Sequence, residues 1–168
     1  MTLTHLGDFD PELFVPLHNL LEQIEIPRSA KNNRKNFGIH RNACFGIVKN
    51  RITKNVGDSA FTKKHPEIWE EIKKIGTLFS GFTFTSVHLN KNVVCGEHRD
   101  KHNIGTSVIV AFGDYEGCRL LTEHGDDVDT NCHAILFDGR NTTHWNSPLI
   151  SGTKYSLVFY THDAAAQL

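Results

Sequence analysis

Two segments in the first half of the chain carry apolar residues at helical spacing. In residues 11–24 the apolar positions recur every three or four residues after Asp10, a residue type that caps helices well. Pro16 would break or kink a helix, so this helix either bends or begins only at the proline. From Pro66 to about Leu78 an apolar stripe is opposed by charged residues. We predict two helices that pack on a sheet.

After Gly81 the pattern changes to short runs rich in β-branched and aromatic residues, separated by turn-forming residues. Short strands at such spacing are typical of a jelly roll. We predict a mainly β protein with N-terminal helices, as one domain over residues 1–168. Residues 1–81 would form a helical and basic support region, and residues 82–162 a double-stranded β-helix core. The predicted strands are 82–90, 106–112, 118–122, 133–137 and 154–162.

A pattern that suits metal binding lies between two of these strands. His98 and Asp100 are two residues apart, so in an extended segment their side chains point the same way. His144 follows after two or three further strands, enough for the chain to cross a sandwich and return. Two histidines and one carboxylate on one face are diagnostic of non-heme Fe(II) oxygenases. These three ligands leave three coordination positions of the metal open, two for the chelating cosubstrate 2-oxoglutarate and one for O2.

Other interpretations of the histidines remain open. His124 and Asp126 form a second HxD pattern, as expected by chance in a chain with 11 histidines. That pattern lies in a hydrophilic turn and close to His144 in sequence, so we favour the Fe(II) set with His98. The remaining alternative is that the histidines only form hydrogen bonds at strand ends.

A cation for the cosubstrate stands at the start of the last predicted strand. Lys154 and Ser156 share one face of this strand, while Tyr155, Leu157 and Phe159 point the other way, towards the helices. An ammonium group here can pair with the distal carboxylate of 2-oxoglutarate, and the hydroxyl can join that contact. The alternative is a solvated lysine at a strand start. Beside a metal triad, we favour the cosubstrate role.

Two stretches also carry a resemblance to a known family. HRDKHN at 98–103, with TSVIV at 106–110, and TKYSLVFYTH at 153–162 resemble the TET/J-base-binding-protein dioxygenases, which oxidise the 5-methyl group of pyrimidine bases in DNA. The resemblance covers roughly residues 82–162 and is specific at these stretches. Residues 1–81 carry no such resemblance.

The resemblance implies the same iron ligands, with Lys154 and Ser156 as the 2-oxoglutarate binders. It also implies that Asn103 and His162 hydrogen-bond the target cytosine and that Tyr160 stacks on it. A base has to leave the duplex to reach a buried metal, and stacking on an aromatic ring returns about 1–3 kcal/mol. Lys154 departs from the Arg of TET proteins and resembles the prolyl 4-hydroxylases. The chain also lacks the cysteine-rich zinc module of animal TET proteins.

The net charge of −1 conceals an uneven distribution. Of the 18 Lys and Arg residues, eight lie between Arg28 and Asn55, where there is no acid, so ten remain against 19 acids elsewhere. Such a basic segment suits the phosphates of a nucleic acid, although a solvated basic loop is the alternative. The predicted DNA contacts in this segment are Lys31, Arg34, Lys35 and Arg41.

The favoured function is oxidation of 5-methylcytosine in methylated DNA to 5-hydroxymethylcytosine. The alternatives are a prolyl-type protein hydroxylase or small-molecule hydroxylase of the same cofactor class, and a non-enzymatic cupin-like binding module. No stretch approaches the ~20 apolar residues that span a bilayer, and the N-terminus lacks a signal-peptide pattern. The four cysteines form no CxxC pair, which fits reduced thiols. We expect an intracellular monomer, cytoplasmic or nuclear, without a membrane partner.

Overall fold

The computed structural model describes residues 3–28 and 41–167. The helices are α1 (Val15–Glu22), α2 (Ala60–Lys64) and α3 (Pro66–Gly76), with 3-10 helices at Pro11–Phe14 and Asp163–Gln167. In chain order the strands are β1 (Leu3–Asp8), β2 (Arg41–Lys49), β3 (Val56–Asp58), β4 (Ser86–Lys91), β5 (Asn103–Phe112), β6 (Tyr115–Gly117), β7 (Leu120–Thr122), β8 (Asp127–Val128), β9 (His133–Phe137), β10 (His144–Asn146), β11 (Leu149–Gly152) and β12 (Tyr155–His162).

The strands form one large sheet and two small ones, all antiparallel. The large sheet has seven strands in the order β1-β9-β5-β12-β4-β2-β3. The small sheets have the orders β10-β7-β8 and β11-β6. An isolated bridge between His98 and His144 attaches the loop after β4 to β10. The predicted mainly β, double-stranded β-helix architecture is confirmed.

The alternation of side chains along β12 separates the core from a cavity. Tyr155, Leu157 and Phe159 are fully buried in the main hydrophobic cluster, together with residues of α1 and α3. Lys154 and Ser156 point the other way and line the cavity. The predicted two-faced character of this strand is therefore confirmed.

Both predicted helices are present. The first is divided as Pro16 required, because a 3-10 turn capped by Asp10 gives way to α1, which places the proline in its first turn. The Asp10 side chain accepts a hydrogen bond from the Glu12 amide at 3.0 Å. The second helix, α3, ends at Gly76, slightly before the predicted boundary, and buries Ile68, Ile72 and Ile75.

The interpretation of residues 1–81 as a helical support region needs correction. β1 pairs with β9, and β2 pairs with β4, so both strands belong to the large sheet. The sheet is therefore not confined to residues 82–162. No disulfide joins the four cysteines, which all lie in the described residues. None of the helices described is long and apolar enough to cross a membrane.

Candidate metal centre and cofactor cavity

The backbone holds two histidines side by side. The amide of His98 donates to the carbonyl of His144 at 3.1 Å, and the amide of His144 donates back at 3.0 Å. The two ring centroids are 4.2 Å apart. A loop residue after β4 is thus fixed in register with the first residue of β10, which is how residues far apart in sequence share one site.

Second hydrogen bonds orient both rings. His98 Nδ1 lies 2.8 Å from the Gly96 carbonyl oxygen, and His144 Nδ1 lies 2.8 Å from the Thr142 carbonyl oxygen. A carbonyl only accepts, so each Nδ1 carries a hydrogen, and Nε2 is the atom that faces the Asp100 carboxylate and is available to a metal. This is the arrangement expected of a metal-binding histidine.

Asp100 completes the set of donors. Its carboxylate oxygens lie 3.5 Å from His98 Nε2 and 3.3 Å from His144 Nε2. Burial acts to raise the pKa of Asp100, but hydrogen bonds and charge from His144 and His98 more than offset it and hold this pKa well below its usual range. Ligand atoms about 2.1 Å from a shared ion, at right angles, lie about 3 Å apart. The donor set therefore fits a divalent metal.

Gly139 keeps room for the carboxylate. Its carbonyl accepts a hydrogen bond from the Asp100 amide at 2.9 Å. A Cβ at this position would lie 2.6 Å from Asp100 Oδ2 and 2.9 Å from the Phe137 ring. Any side chain here would push the carboxylate out of line with the two histidines.

Gly139→Ala is therefore expected to lower Fe(II) affinity by about 10–100-fold, the range typical of mutations that disturb ligand orientation. Isothermal titration with Fe(II) under anaerobic conditions would measure the change. Gly57→Ala is the matched control, since nothing lies within 4 Å of a Cβ there. Equal affinities in the two variants would show that Asp100 does not depend on this space.

The second HxD pattern does not converge in the same way. Thr122 donates its hydroxyl hydrogen to the Asp126 carboxylate, and His124 Nε2 lies 3.9 Å from Glu123. Only two groups of potential ligands come together in the described part of the chain. One is His98, Asp100 and His144, and the other is a surface cluster on β1 and β9.

Lys154 enters the cavity beside the triad. The residue is 3% exposed, and its ammonium group donates to the Cys118 carbonyl at 2.8 Å and lies 5.6 Å from the centre of the Tyr115 ring. Within residues 3–28 and 41–167, no carboxylate forms an ion pair with it. A buried charge without a counter-ion is costly, so the site favours an anion in the cavity.

Other polar groups line the same space. Ser156 lies in β12 directly opposite Asn90 of β4, and both side chains face the cavity. Asn103 also lines the cavity and donates its amide hydrogen to Ser107 Oγ at 3.1 Å. The structure thus brings the predicted metal and cosubstrate residues, and one predicted base contact, to a single cavity.

The predicted stacking role of Tyr160 stays a prediction, since a neighbouring ring forms the cavity wall next to it. Tyr160 is 2% exposed, does not line the cavity and is stacked on His88, with ring centroids 5.0 Å apart. Tyr160 keeps its register with Ser86 of β4, so its ring lies on the same face of the sheet as the ring of His88. His88 is the ring that faces the cavity.

His162 also lies outside the cavity. Its ring is stacked on that of His102 with centroids 6.1 Å apart, and its Nδ1 accepts a hydrogen bond from the Ala164 amide at 3.0 Å. Burial lowers the pKa of His162. The predicted hydrogen bond between His162 and a base stays a prediction.

His88 was not among the predicted site residues. The predicted strand 82–90 contained it, and alternation places Ser86, His88 and Asn90 on one face of β4. A strand face made only of polar residues could have indicated that this face lines a functional site.

Only one of the predicted DNA contacts lies in the described residues. The Arg41 guanidinium donates to the Ile26 carbonyl at 2.7 Å and to Glu25 at 3.4 Å. Lys31, Arg34 and Lys35 lie outside the described residues. The DNA-binding role of the basic segment therefore stays a prediction.

Comparison with known proteins supports the fold. The sequence matches no family model and no curated protein. The structure of NgTET1 in complex with 5mC DNA matches with a TM-score of 0.67 and 18% identity, covering 96% of this chain and 72% of that chain. A 2OG-Fe(II) oxygenase family protein from Burkholderia pseudomallei matches with a TM-score of 0.57 and 12% identity, covering 95% of this chain and 84% of that chain. A Pseudomonas putida prolyl-4-hydroxylase matches with a TM-score of 0.55 and 13% identity, covering 96% of this chain and 93% of that chain.

At sequence identities of 12–18%, the similarity to these structures establishes the fold. The chain has the double-stranded β-helix of the 2-oxoglutarate- and Fe(II)-dependent oxygenases. It carries the two histidines and one carboxylate that non-heme Fe(II) oxygenases use.

Proposed function

We propose that this protein is an Fe(II)- and 2-oxoglutarate-dependent dioxygenase that oxidises the 5-methyl group of 5-methylcytosine in DNA. The observation that carries the dioxygenase assignment is the pairing, in one cavity, of three convergent metal donors with a buried ammonium that has no carboxylate partner among the described residues. The three donors select a metal, and the buried ammonium group selects an anionic cosubstrate.

Each residue has a definite task in this proposal. His98 and His144 bind the metal through Nε2, and Asp100 supplies the negative charge. Lys154 binds the distal carboxylate of 2-oxoglutarate, with Ser156 beside it. When bound, iron with 2-oxoglutarate and O2 supplies the oxidising power to hydroxylate a methyl group. The protein contributes binding and orientation.

Three observations support DNA as the substrate. The sequence resembles the TET/J-base-binding-protein dioxygenases at 98–103 and 153–162. NgTET1, whose structure contains 5mC DNA, has a TM-score of 0.67 with this chain. The acid-free basic segment from Arg28 to Asn55 suits phosphate binding.

A second candidate is hydroxylation of a peptide. Lys154 resembles the cation of the prolyl 4-hydroxylases, and the prolyl-4-hydroxylase from Pseudomonas putida shares the fold over nearly its whole length. Incubation with methylated DNA or with proline-rich peptides, in the presence of Fe(II), 2-oxoglutarate and ascorbate, separates the two proposals. Mass spectrometry of nucleosides should show 5-hydroxymethylcytosine. A mass gain of one oxygen on the peptide alone would favour the hydroxylase.

Neutralising Lys31, Arg34 and Lys35 together should weaken DNA binding for all sequences alike. Each lost phosphate contact is expected to reduce the slope of log K against log salt concentration by about one. Fluorescence anisotropy over a salt series measures this slope. The control neutralises Lys63, Lys73 and Lys74, which lie on α2 and α3. An unchanged slope in the first variant would identify the segment as a solvated loop.

His88→Ala is expected to lower oxidation of methylated DNA by about 5- to 150-fold, since stacking on an aromatic ring contributes about 1–3 kcal/mol per base. Decarboxylation of 2-oxoglutarate without substrate should persist, because the metal and cosubstrate contacts remain. Tyr160→Phe is the control, as it keeps the ring that supports His88. Wild-type oxidation by the His88 variant would argue against any contact of this ring with the base.

A further inference from the structure

A second cluster of metal-binding side chains lies at the edge of the large sheet, away from the strands that carry the triad. It consists of His5 and Asp8 on β1 and His133 at the start of β9. Their ligand atoms all lie within 4.8 Å of one another. Nothing in the proposed oxygenase chemistry uses these residues.

The contacts converge on one oxygen atom. His5 Nε2 lies 2.8 Å from Asp8 Oδ1, and His133 Nδ1 contacts the same oxygen. The two imidazole rings are 5.8 Å apart and tilted by 57°, so their planes do not stack face to face. Two nitrogen donors and one carboxylate thus surround a single small volume.

A β-bulge creates this arrangement. In a regular strand, residues three apart point to opposite faces, so His5 and Asp8 would be separated by the sheet. The register between β1 and β9 shifts between His5 and Gly7, which inserts one extra residue. The bulge rotates His5 onto the face of Asp8, and Asp8 lies directly opposite His133.

Exposure and donor type indicate which ion would fit. The side chains of His5, Asp8 and His133 are 51%, 68% and 38% exposed, so an ion can enter from solvent and water can complete its coordination. Imidazole with one carboxylate suits Zn²⁺, whereas Mg²⁺ and Ca²⁺ require mostly oxygen ligands. Zinc ligands at about 2.0–2.2 Å would lie about 3.4 Å apart, which exposed side chains reach by small rotations.

We propose that His5, Asp8 and His133 form a second metal site, selective for Zn²⁺ over Mg²⁺ and Ca²⁺, that fastens β1 to β9. The fixed strand is the N-terminal edge of the large sheet, and its partner residue lies 125 positions away in the chain. Binding at this site would therefore stabilise the folded state by cross-linking distant segments of the chain.

The test must separate this site from the triad, which also binds divalent ions. Zn²⁺ stoichiometry would be measured on the full chain by competition with a chromogenic chelator, in four versions of the protein. We expect about two ions for wild type, about one for His133→Ala, about one for His144→Ala and about none for the double variant. The comparison between His144→Ala and the double variant decides the proposal, because it does not depend on the triad.

The melting temperature gives a second measure. Zn²⁺ should raise the Tm of His144→Ala, while Mg²⁺ should not, and Zn²⁺ should leave the Tm of the double variant unchanged. If His133→Ala fails to fold, His5→Ala in the same background serves instead, because this exposed side chain lies outside the core. If His144→Ala and the double variant bound equal amounts of zinc and showed equal Tm shifts, the proposal would be overturned. The three residues would then form only a hydrogen-bonded surface cluster.

Discussion

Replacing His144 by alanine is expected to abolish 2-oxoglutarate turnover. His144 contributes one of the three metal donors, and its Nε2 lies 3.3 Å from the Asp100 carboxylate. Loss of a group that merely orients a ligand costs about 10–100-fold in affinity or activity, so loss of the ligand itself should exceed about 100-fold. Succinate formation, measured with Fe(II) in excess, reports the loss directly.

The matched control is His124→Ala. His124 belongs to the other HxD pattern but does not join a metal cluster in the described residues. It should retain wild-type turnover. His144 is 5% exposed, so its removal leaves a small void, and circular dichroism should confirm that the variant remains folded. A folded His144 variant with near-normal turnover would remove this residue from the site.

The sequence predicted local features well. The strand at 133–137 was placed at its observed ends, and alternation along β12 separated Leu157 from Lys154. The reason is physical, since burial on one face of an element imposes a period of two or 3.6 on the residues themselves. His98 and Asp100 were found because HxD in an extended segment is also a local pattern.

Features that depend on pairing between distant segments were missed. β1 joins the sheet through β9, whose paired residue His133 lies 125 positions from Asp8, and the largely exposed β1 has little apolar pattern of its own. The surroundings of Tyr160 have a related cause. Alternation placed its ring on the face of β12 that also carries Ser156, but its stacking on His88 depends on β4, which no inspection of β12 alone reveals.

For the cavity, too, the sequence predicted the local pattern but not the contacts between distant segments. Lys154 was recognised as a cation on the correct face, but the sequence did not show that its ammonium would be buried against the Cys118 carbonyl, without an acidic partner in the described structure. That environment distinguishes a ligand-binding lysine from a solvated one. Two nearby arginines have other partners, since Arg119 donates to Asp127 and Arg140 donates to the Asn103 carbonyl.

Lys154→Met is expected to raise the apparent KM for 2-oxoglutarate steeply. Removing one partner of a buried charge pair costs about 2–5 kcal/mol, which corresponds to roughly 30- to several-thousand-fold in affinity. Methionine keeps the length and apolar stem of lysine, so the cavity wall is preserved while the charge is lost. Succinate formation at increasing 2-oxoglutarate concentrations gives KM and kcat separately.

The effect should appear in cosubstrate affinity and not in the fold. Without 2-oxoglutarate the ammonium is buried with no carboxylate partner in the described chain, so Lys154→Met should melt at or above the wild-type temperature. With Fe(II) present in both samples, adding 2-oxoglutarate should raise the Tm of the wild type and not that of the variant. Lys91→Met is the control, since this lysine lies over the Tyr155 ring, on the other face of the sheet from the cavity. An unchanged KM in the Lys154 variant would mean that another cation binds the distal carboxylate.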